Sequence, residues 1–226
     1  APVLVYSQAQ NLHGSVLARR PAGGPEPKVP VGFHGPYANA LRRVDSCLGS
    51  FIDELKKMNL FEKSILILTA DHGDSLGEEG RFGHAYTIFP EIVRIPLIMH
   101  LPKALRAKKI DESELVFSTD IAPTLAFLLG RGGQPKNDFE GRSLFYDDKP
   151  TALGEKGHLV ISSYGPVAGV IAADGRSIYI SDAINFASYL YRMDTKGSSK
   201  VDTTLEIRNE NDALLKEKID RLYSDF

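Results

Sequence analysis

The sequence predicts an α/β fold, with a mainly parallel sheet sandwiched by helices, then a small antiparallel sheet and a closing helix. In residues 1–150, continuous apolar runs flanked by charged residues occur together with a long amphipathic helical pattern. After residue 155, short β-rich runs alternate with turn residues, and a charged helical segment closes the chain. We place the α/β part at residues 1–150 and the small sheet with its helix at residues 151–226.

The composition is that of an ordinary globular protein. Of 226 residues, 42% are hydrophobic, and 27 basic residues against 29 acidic ones leave a formal net charge of −2. This balance gives no field that would favour nucleic acid, so a charged ligand needs a local site. The longest apolar runs are too short to form a membrane segment. Cys47, the single cysteine, excludes an internal disulfide and a multi-cysteine zinc site.

The first elements follow from apolar spacing. Residues 2–6 (PVLVY) predict a short buried strand, and the Pro- and Gly-rich residues 21–36 predict a surface loop. From Tyr37 to Leu55 apolar residues recur at helical spacing with charged residues between them, which predicts a helix. Residues 63–70 (KSILILTA) then predict a strand covered on both faces.

The second half of the chain predicts further elements of both kinds. RIPLIMHL (94–101) indicates a strand, and DIAPTLAFLLG (120–130) a helix that ends at Gly130. HLVISSY, GVIAADG, RSIYISDA and SYLYRMD predict the antiparallel sheet, with ADGRS as a hairpin turn. A charged helix is predicted from about Thr203 to Leu222.

The stretch TADHGDSLGEEGRFGH (69–84) carries the candidate chemistry. It directly follows a predicted buried strand, and ligand sites of open α/β sheets form at the carboxyl ends of strands. Asp71 offers a hard oxygen and His72 a borderline nitrogen to a divalent cation, and Gly73 permits a tight turn that would let both side chains converge. The alternative is that Asp71 caps a helix and His72 only forms a hydrogen bond in a turn.

The wider context resembles the sulfatase family of the alkaline-phosphatase superfamily. ILILTADHGDSLGEEGRFGHAYTIFPEIVRIPLIMHLP is similar to that family's signature, in which a strand ends in Ser/Thr-x-Asp-His-Gly and Arg-x-Pro-Leu follows. STDIAPTLAFLLG, FEGRSLF and SYLYRMD resemble later family motifs in the same order. The resemblance implies the C-terminal portion of an alkaline-phosphatase-like catalytic domain and favours the metal reading of Asp71 and His72.

The resemblance also implies roles for individual residues. Asp71 and His72 would bind one divalent metal ion, which could be calcium, manganese or zinc because imidazole also suits transition metals. His84 lies where relatives place a Lys or His that contacts the ester, so it would stabilise charge or act as general acid. His13 resembles a second histidine that reaches the same ester. His34, in FHGPY, is the competing candidate, and we prefer His13 because a predicted strand precedes it directly.

The family's nucleophile has no counterpart in this sequence. Sulfatases use a formylglycine made within Cys/Ser-x-Pro-x-Arg, whereas Cys47 stands in DSCLGSF on the predicted helix. In the family the nucleophile and the remaining metal ligands precede the His13 region. We therefore expect this chain to be a fragment whose nucleophile lies upstream and which is inactive by itself.

The function implied is hydrolysis of sulfate esters of small molecules or glycans. One alternative is a phosphodiesterase, phosphonate hydrolase or phosphoethanolamine-type transferase of the same superfamily, which shares the Asp-His pair. A second alternative is a non-catalytic binding module that kept the scaffold. By family expectation the protein would be periplasmic or extracellular.

Overall fold

The computed structural model describes residues 3–8, 12, 35–106, 115–130, 141–145 and 157–224. Its helices and strands follow one another as α1 (Gly35–Lys57), β1 (Leu66–Thr69), β2 (Ser75–Leu76), β3 (Phe82–Gly83), α2 (Pro90–Val93), β4 (Leu97–His100), α3 (Ile121–Leu128), β5 (Gly157–Ile161), β6 (Val167–Ala172), β7 (Ser177–Asp182), β8 (Ala187–Asp194), β9 (Gly197–Val201) and α4 (Leu205–Ser224). Within those ranges, no helix combines the length and apolar character that crossing a membrane requires.

The long helix α1 confirms the prediction from apolar spacing and extends it by two residues at each end. Its C-terminus closes with two backbone bonds, from Asn59 N–H to the Lys56 carbonyl and from Leu60 N–H to the Leu55 carbonyl. Asn59 has a φ of 55°, which is the left-handed conformation that this capping arrangement needs after a helix end. Cys47 lies on this helix and is exposed.

Strands β1 and β4 form a two-stranded antiparallel sheet, in which Leu66 pairs with His100 and Thr69 with Leu97. Both strands were predicted, but the predicted mainly parallel sheet is not seen, since no strand pair of the described residues is parallel. The predicted cover on both faces is also absent there, because Leu68 and Ile98 are exposed. An apolar run reports burial tendency and does not determine the direction of the neighbouring strand.

The predicted strand at residues 2–6 is wrong for the residues described. Residues 3–8 have no strand assignment, and the side chains of Val3, Leu4 and Val5 are exposed. A strand needs a neighbour for its backbone hydrogen bonds, and no described strand pairs with this segment. Apolar composition alone therefore suggested an element that lacks its partner here.

Strands β5 to β9 form one antiparallel sheet in sequential order, as predicted for the end of the chain. The predicted ADGRS turn joins β6 to β7, where Gly175 N–H donates to the Ala172 carbonyl at 2.8 Å and Gly175 has a φ of 69°. Closing helix α4 packs on one face, with Leu215 buried and Asp212 accepting a 2.8 Å hydrogen bond from the Tyr179 hydroxyl. The proposed division at residue 150 stays a prediction.

The opposite face of this sheet packs against the segment around α2. Alternate side chains of β6, β7 and β8 point to this face, as the two-residue period of a strand dictates. They form one buried cluster with residues of that segment: Ile88, Phe89, Ile92, Val167, Ile171, Ile178, Ile180, Tyr191 and Met193. The segment around α2, which follows the loop from β1, is therefore held against the C-terminal sheet.

Two of the motif-like stretches have a structural role. The carboxylate of Asp120, which is 3% exposed, accepts hydrogen bonds from the backbone N–H groups of Phe117 and Arg142. The Thr124 hydroxyl accepts one from Leu144 N–H at 2.9 Å. Helix α3 thus satisfies the backbone of residues 141–145, which explains why STDIAPTL and GRSL occur together.

Candidate functional site

The candidate site is built on the loop that leaves the end of β1. Asp71 and His72 follow Thr69 after one residue, at the position predicted from the apolar run. Gly73 fixes the turn because its N–H donates to the Ile92 carbonyl at 2.8 Å. A Cβ at Gly73 would lie 2.0 Å from the Glu91 carbonyl oxygen. Only glycine allows this approach between two backbones.

A short hairpin, residues 75–83 and called here the site hairpin, brings the second pair of side chains together. Ser75 pairs with Gly83 and Leu76 with Phe82. Asp74 and His84 directly flank the open end of this ladder, so the antiparallel pairing places them opposite each other. His84 Nδ1 lies 2.7 Å from Asp74 Oδ1. Both side chains are largely buried, at 22% and 14% exposure.

The hydrogen bonds of the two histidines determine which ring nitrogen carries a proton. His72 Nδ1 lies 2.9 Å from the Gly73 carbonyl oxygen, and the partner of His84 Nδ1 is a carboxylate oxygen. Because a carbonyl and an ionised carboxylate only accept, Nδ1 is protonated in both rings. In a neutral ring Nε2 then has the lone pair, which is the arrangement typical of metal-binding histidines.

The two imidazoles lie against each other, with ring centroids 3.9 Å apart and planes 32° apart. One potential ligand atom from each of His72, Asp74 and His84 lies within 4.8 Å of the others. Asp71 adds a carboxylate whose Oδ2 is 3.9 Å from His72 Nε2. Of the predicted residues, Asp71, His72 and His84 are therefore brought together.

Asp74 is the residue of this group to which the sequence analysis gave no role. Asp74 lies four and five residues before Glu78 and Glu79, and a run of charged residues in a sequence is usually a solvated face. The signal available was the pair of glycines in between: Gly77 lies three residues after Asp74, and Gly80 lies four residues before His84. Glycines at φ of 121° and 80° are those that close a short hairpin.

Two further residues approach the site from other segments. Gln8 donates from Nε2 to Asp71 Oδ2 at 3.3 Å, so residues 3–8 pass beside the metal-ligand candidate. Burial, and then the negative charge of Asp74, raise the pKa of Tyr37 in the first turn of α1. His13 and His34 lie outside the described residues, and the role predicted for His13 stays a prediction.

The site hairpin is fixed to the rest of the fold through Arg81. Its guanidinium donates to Glu91 Oε1 at 3.0 Å and to Glu79 Oε2 at 2.8 Å, and lies 3.8 Å above the centre of the Phe89 ring. The buried Ser75 hydroxyl donates to the same Glu91 oxygen at 2.7 Å. Burial opposes the charge on Arg81, but its hydrogen bonds to Glu79 and Glu91 outweigh burial and raise its pKa.

Tyr191 on β8 completes this network. Its hydroxyl donates to Glu79 Oε2 at 3.0 Å and accepts from Arg81 at 3.3 Å. Burial raises the pKa of Tyr191 to about 12, against the opposing charge of Arg81. Burial also opposes ionisation of Glu79, but the hydrogen bonds from Arg81 and Tyr191 outweigh it and lower the pKa of that carboxyl. The network therefore joins the site hairpin to the C-terminal sheet.

A groove of about 1460 Å³ opens beside the site. Asp71, His72 and His84 line one part of it, and residues of the C-terminal sheet and its turns, including Tyr164 and Arg192, line the rest. Its volume exceeds the roughly 300–1,000 Å³ of a small-molecule pocket. The arrangement can thus admit a ligand larger than the group that reacts.

Comparison with known proteins finds that the chain is similar to sulfatases. The Sulfatase family model matches residues 7–131, more than half of the chain. N-acetylglucosamine-6-O-sulfatase of Bacteroides thetaiotaomicron is 33% identical over 108 residues, which are 48% of this chain and 19% of that protein. Endo-4-O-sulfatase of the same organism is 25% identical over 130 residues, which are 56% of this chain and 25% of that protein. The chain thus spans a fifth to a quarter of the length of these relatives.

A solved structure has the same fold. The structure of a 2-O GAG sulfatase superposes with a TM-score of 0.61 and 18% identity, covering 91% of this chain and 54% of that one. At this identity the likeness concerns the fold alone. This likeness supports an alkaline-phosphatase-like fold for this chain.

The close approach at Gly73 can be tested with two alanine substitutions. Gly73→Ala forces apart the backbones of residues 73 and 91, so we expect unfolding to be easier by about 2–4 kcal/mol. Gly49→Ala is the control, because nothing lies within 4 Å of its Cβ and alanine favours a helix by about 0.5–1 kcal/mol. Urea unfolding measures both. Equal effects of the two substitutions would contradict the role of Gly73.

The network around Tyr191 predicts a dependence on alkaline pH. The ordinary pKa of 10.0 rises to about 12 in the folded protein. The stability that Tyr191 contributes is therefore complete below pH 10 and is lost as the pH rises toward 12. In an absorbance titration we expect Tyr191→Phe to lack the latest tyrosine step and Tyr223→Phe to retain it. The prediction is wrong if the late step survives in Tyr191→Phe.

Proposed function

Because the chain belongs to the sulfatase family, we propose that the protein hydrolyses sulfate esters at a site that includes Asp71, His72, Asp74 and His84. The observation that supports this most directly is the fixed protonation of two adjacent imidazoles. Hydrogen bonds to Nδ1 orient both rings, whose centroids are 3.9 Å apart. One ring is thereby suited to bind a cation and the other to transfer a proton.

Asp71 and His72 are the proposed ligands of one divalent cation. Asp71 Oδ2 and His72 Nε2 are 3.9 Å apart, and two ligands of one cation with bonds of about 2.0–2.4 Å are about 3–4 Å apart. When bound, the cation would supply positive charge against the sulfate oxygens. One carboxylate and one imidazole suit calcium, manganese and zinc alike.

His84 is the proposed general acid. Asp74 accepts a hydrogen bond from Nδ1 at 2.7 Å, which fixes the orientation of the ring. Nε2–H of the charged ring can then donate its proton to the oxygen of the leaving alcohol as the sulfur–oxygen bond breaks. The His72 ring lies against the His84 ring, with centroids 3.9 Å apart. Asp74 acts through His84 and is a positioning residue.

The remaining parts of the reaction belong to the proposal as well. Hydrolysis at sulfur needs a nucleophile, which is a formylglycine in true sulfatases, and Cys47 cannot supply it from DSCLGSF on α1. His13 is the proposed second histidine at the ester. We also propose that β1 and β4 belong to a larger, mainly parallel sheet, since exposed Leu68 and Ile98 leave apolar strand surface uncovered.

Sulfate release by the protein at its full native length tests the proposed function. We expect metal-dependent release of sulfate from an aryl sulfate, measured by ion chromatography, and slower release of phosphate from the matched aryl phosphate. Removing the cation with a chelator, or the substitution Asp71→Asn, should lower kcat/KM by about 10²-fold or more. Faster phosphate release would favour a phosphoesterase. A bound metal without any turnover would favour a binding module.

The Asp74–His84 pair predicts that the loss of kcat depends on the leaving group of the ester. Asp74→Asn removes the charge that orients His84, and we expect kcat to fall by about 10²–10⁴-fold for an alkyl sulfate. The fall should be much smaller for p-nitrophenyl sulfate, whose leaving oxygen needs little protonation. Asp53→Asn, an exposed carboxylate on α1, is the control. Equal losses for both esters would contradict proton transfer by His84.

A further inference from the structure

We propose that Glu91 is a positioning residue for proton transfer by His84 and that it acts through the two strands of the site hairpin. This deepens the proposed function and rests on it. The assignment begins from a single carboxylate oxygen that receives three hydrogen bonds. Glu91 Oε1 accepts from the Ser75 hydroxyl at 2.7 Å, from Arg81 Nε at 3.1 Å and from Arg81 Nη2 at 3.0 Å.

The donors to this oxygen come from both sides of the hairpin. Ser75 lies in β2, and Arg81 directly precedes β3. Ser75 follows Asp74 in the sequence, and its partner in the ladder is Gly83, the residue before His84. The oxygen therefore ties the two strands together, and its bond from Ser75 lies next to the contact between Asp74 and His84.

The hairpin needs such a contact to hold its shape. Its ladder has two paired positions, and an isolated two-stranded hairpin is marginally stable at best. Gly77 and Gly80, with φ of 121° and 80°, give its turn the freedom of glycine. The distance between Asp74 and His84 thus depends on contacts from outside the hairpin. A displacement of about 1 Å in a catalytic arrangement can lower the rate about 10²-fold.

Packing alone does not explain a carboxylate at residue 91. The side chains of Glu91 and Arg81 are 13% and 22% exposed, and Ser75 is 2% exposed. Removing two charges from water is costly, so a largely buried ion pair is weak evidence for stability, and apolar side chains often serve as well. The neighbouring Phe89 and Ile92 pack through apolar contacts. The polar contacts of Glu91 fix a geometry that apolar packing would leave open.

The backbone and the side chain of Glu91 hold different parts of the site. A Cβ at Gly73 would lie 2.0 Å from the Glu91 carbonyl oxygen, and the next residue, Ile92, accepts the hydrogen bond from Gly73 N–H. These backbone contacts fix the turn after Asp71 and His72. A substitution of the Glu91 side chain leaves them in place, so it should loosen the proposed acid and spare the proposed metal ligands.

Turnover by Glu91→Ala in the native full-length protein tests the proposal. We expect kcat for ethyl sulfate to fall about 10- to 100-fold, with KM and the affinity for the cation within about 2-fold of the wild type. The fall for p-nitrophenyl sulfate should be less than about 3-fold, since its leaving oxygen needs little protonation. Glu91→Gln keeps an oxygen acceptor and should restore most of kcat. Glu54→Ala, which removes an exposed carboxylate paired with Lys57, is the control and should act like the wild type.

A second substitution tests the same contact with less disturbance. Ser75→Ala removes one donor and keeps the ion pair, so it decides the question if Glu91→Ala does not fold. We expect a loss of about 3- to 10-fold for ethyl sulfate alone. In an Asp74→Asn background, adding Ser75→Ala or Glu91→Ala should lower kcat less than about 2-fold further, because both act through the same ring. Equal losses for the two esters, or losses that multiply in the double variants, would overturn the proposal.

Histidine NMR separates this proposal from the proposed function because it needs no turnover. In ¹⁵N-labelled native protein at alkaline pH, where the ring is neutral, we expect His84 to carry its proton on Nδ1 in the wild type. Glu91→Ala should show a mixture of both tautomers, and His84→Asn assigns the signal. A changed tautomer in a protein that releases no sulfate would overturn only the function. An unchanged His84 tautomer in Glu91→Ala would overturn the positioning role.

Discussion

The candidate site depends on one backbone contact, the hydrogen bond from Gly73 N–H to the Ile92 carbonyl. It fixes the turn that separates His72 from Asp74, and it attaches this turn to the segment whose Ile88, Phe89 and Ile92 are buried against the C-terminal sheet. A side chain at residue 73 would hold these two backbones apart. The two imidazoles would then lose their close contact, because one precedes this turn and the other follows the site hairpin.

The charge around the site is arranged in two layers. Asp71, His72, Asp74 and His84 face the groove or its edge and have their own mutual hydrogen bonds. Behind them, Arg81 neutralises Glu79 and Glu91, two acidic residues that would otherwise repel Asp74 and each other. Arg81 is 22% exposed in its side chain, so these ion pairs are less screened than surface pairs. Asp74 is 14% exposed in its side chain, whereas Glu78 and Glu79 are exposed.

Sequence patterns determined the local elements well because local spacing reports them. Helices α1, α3 and α4 and strands β5 to β8 of the C-terminal sheet follow from apolar periods and turn residues, whereas β9, with the sequence GSSKV, was not predicted. Pairing direction could not be read in this way, and β1 with β4 is antiparallel where a parallel neighbour was expected. The role of Asp74 was missed because hydrogen bonding between residues 74 and 84 depends on hairpin register. The exposure of residues 3–8 likewise depends on a missing strand neighbour, which a five-residue pattern does not report.

The contact between Arg81 and Tyr191 has a consequence for local opening of the fold. The site hairpin has only two paired positions in its ladder and has little cooperativity of its own. Its free energy of opening is therefore set by the sheet to which Arg81 and Tyr191 attach it. Residues on β8, more than a hundred positions away in the sequence, share one cooperative unit with Asp74 and His84. Loss of packing in that sheet would appear as disorder of the Asp74 and His84 side chains before it appeared as global unfolding.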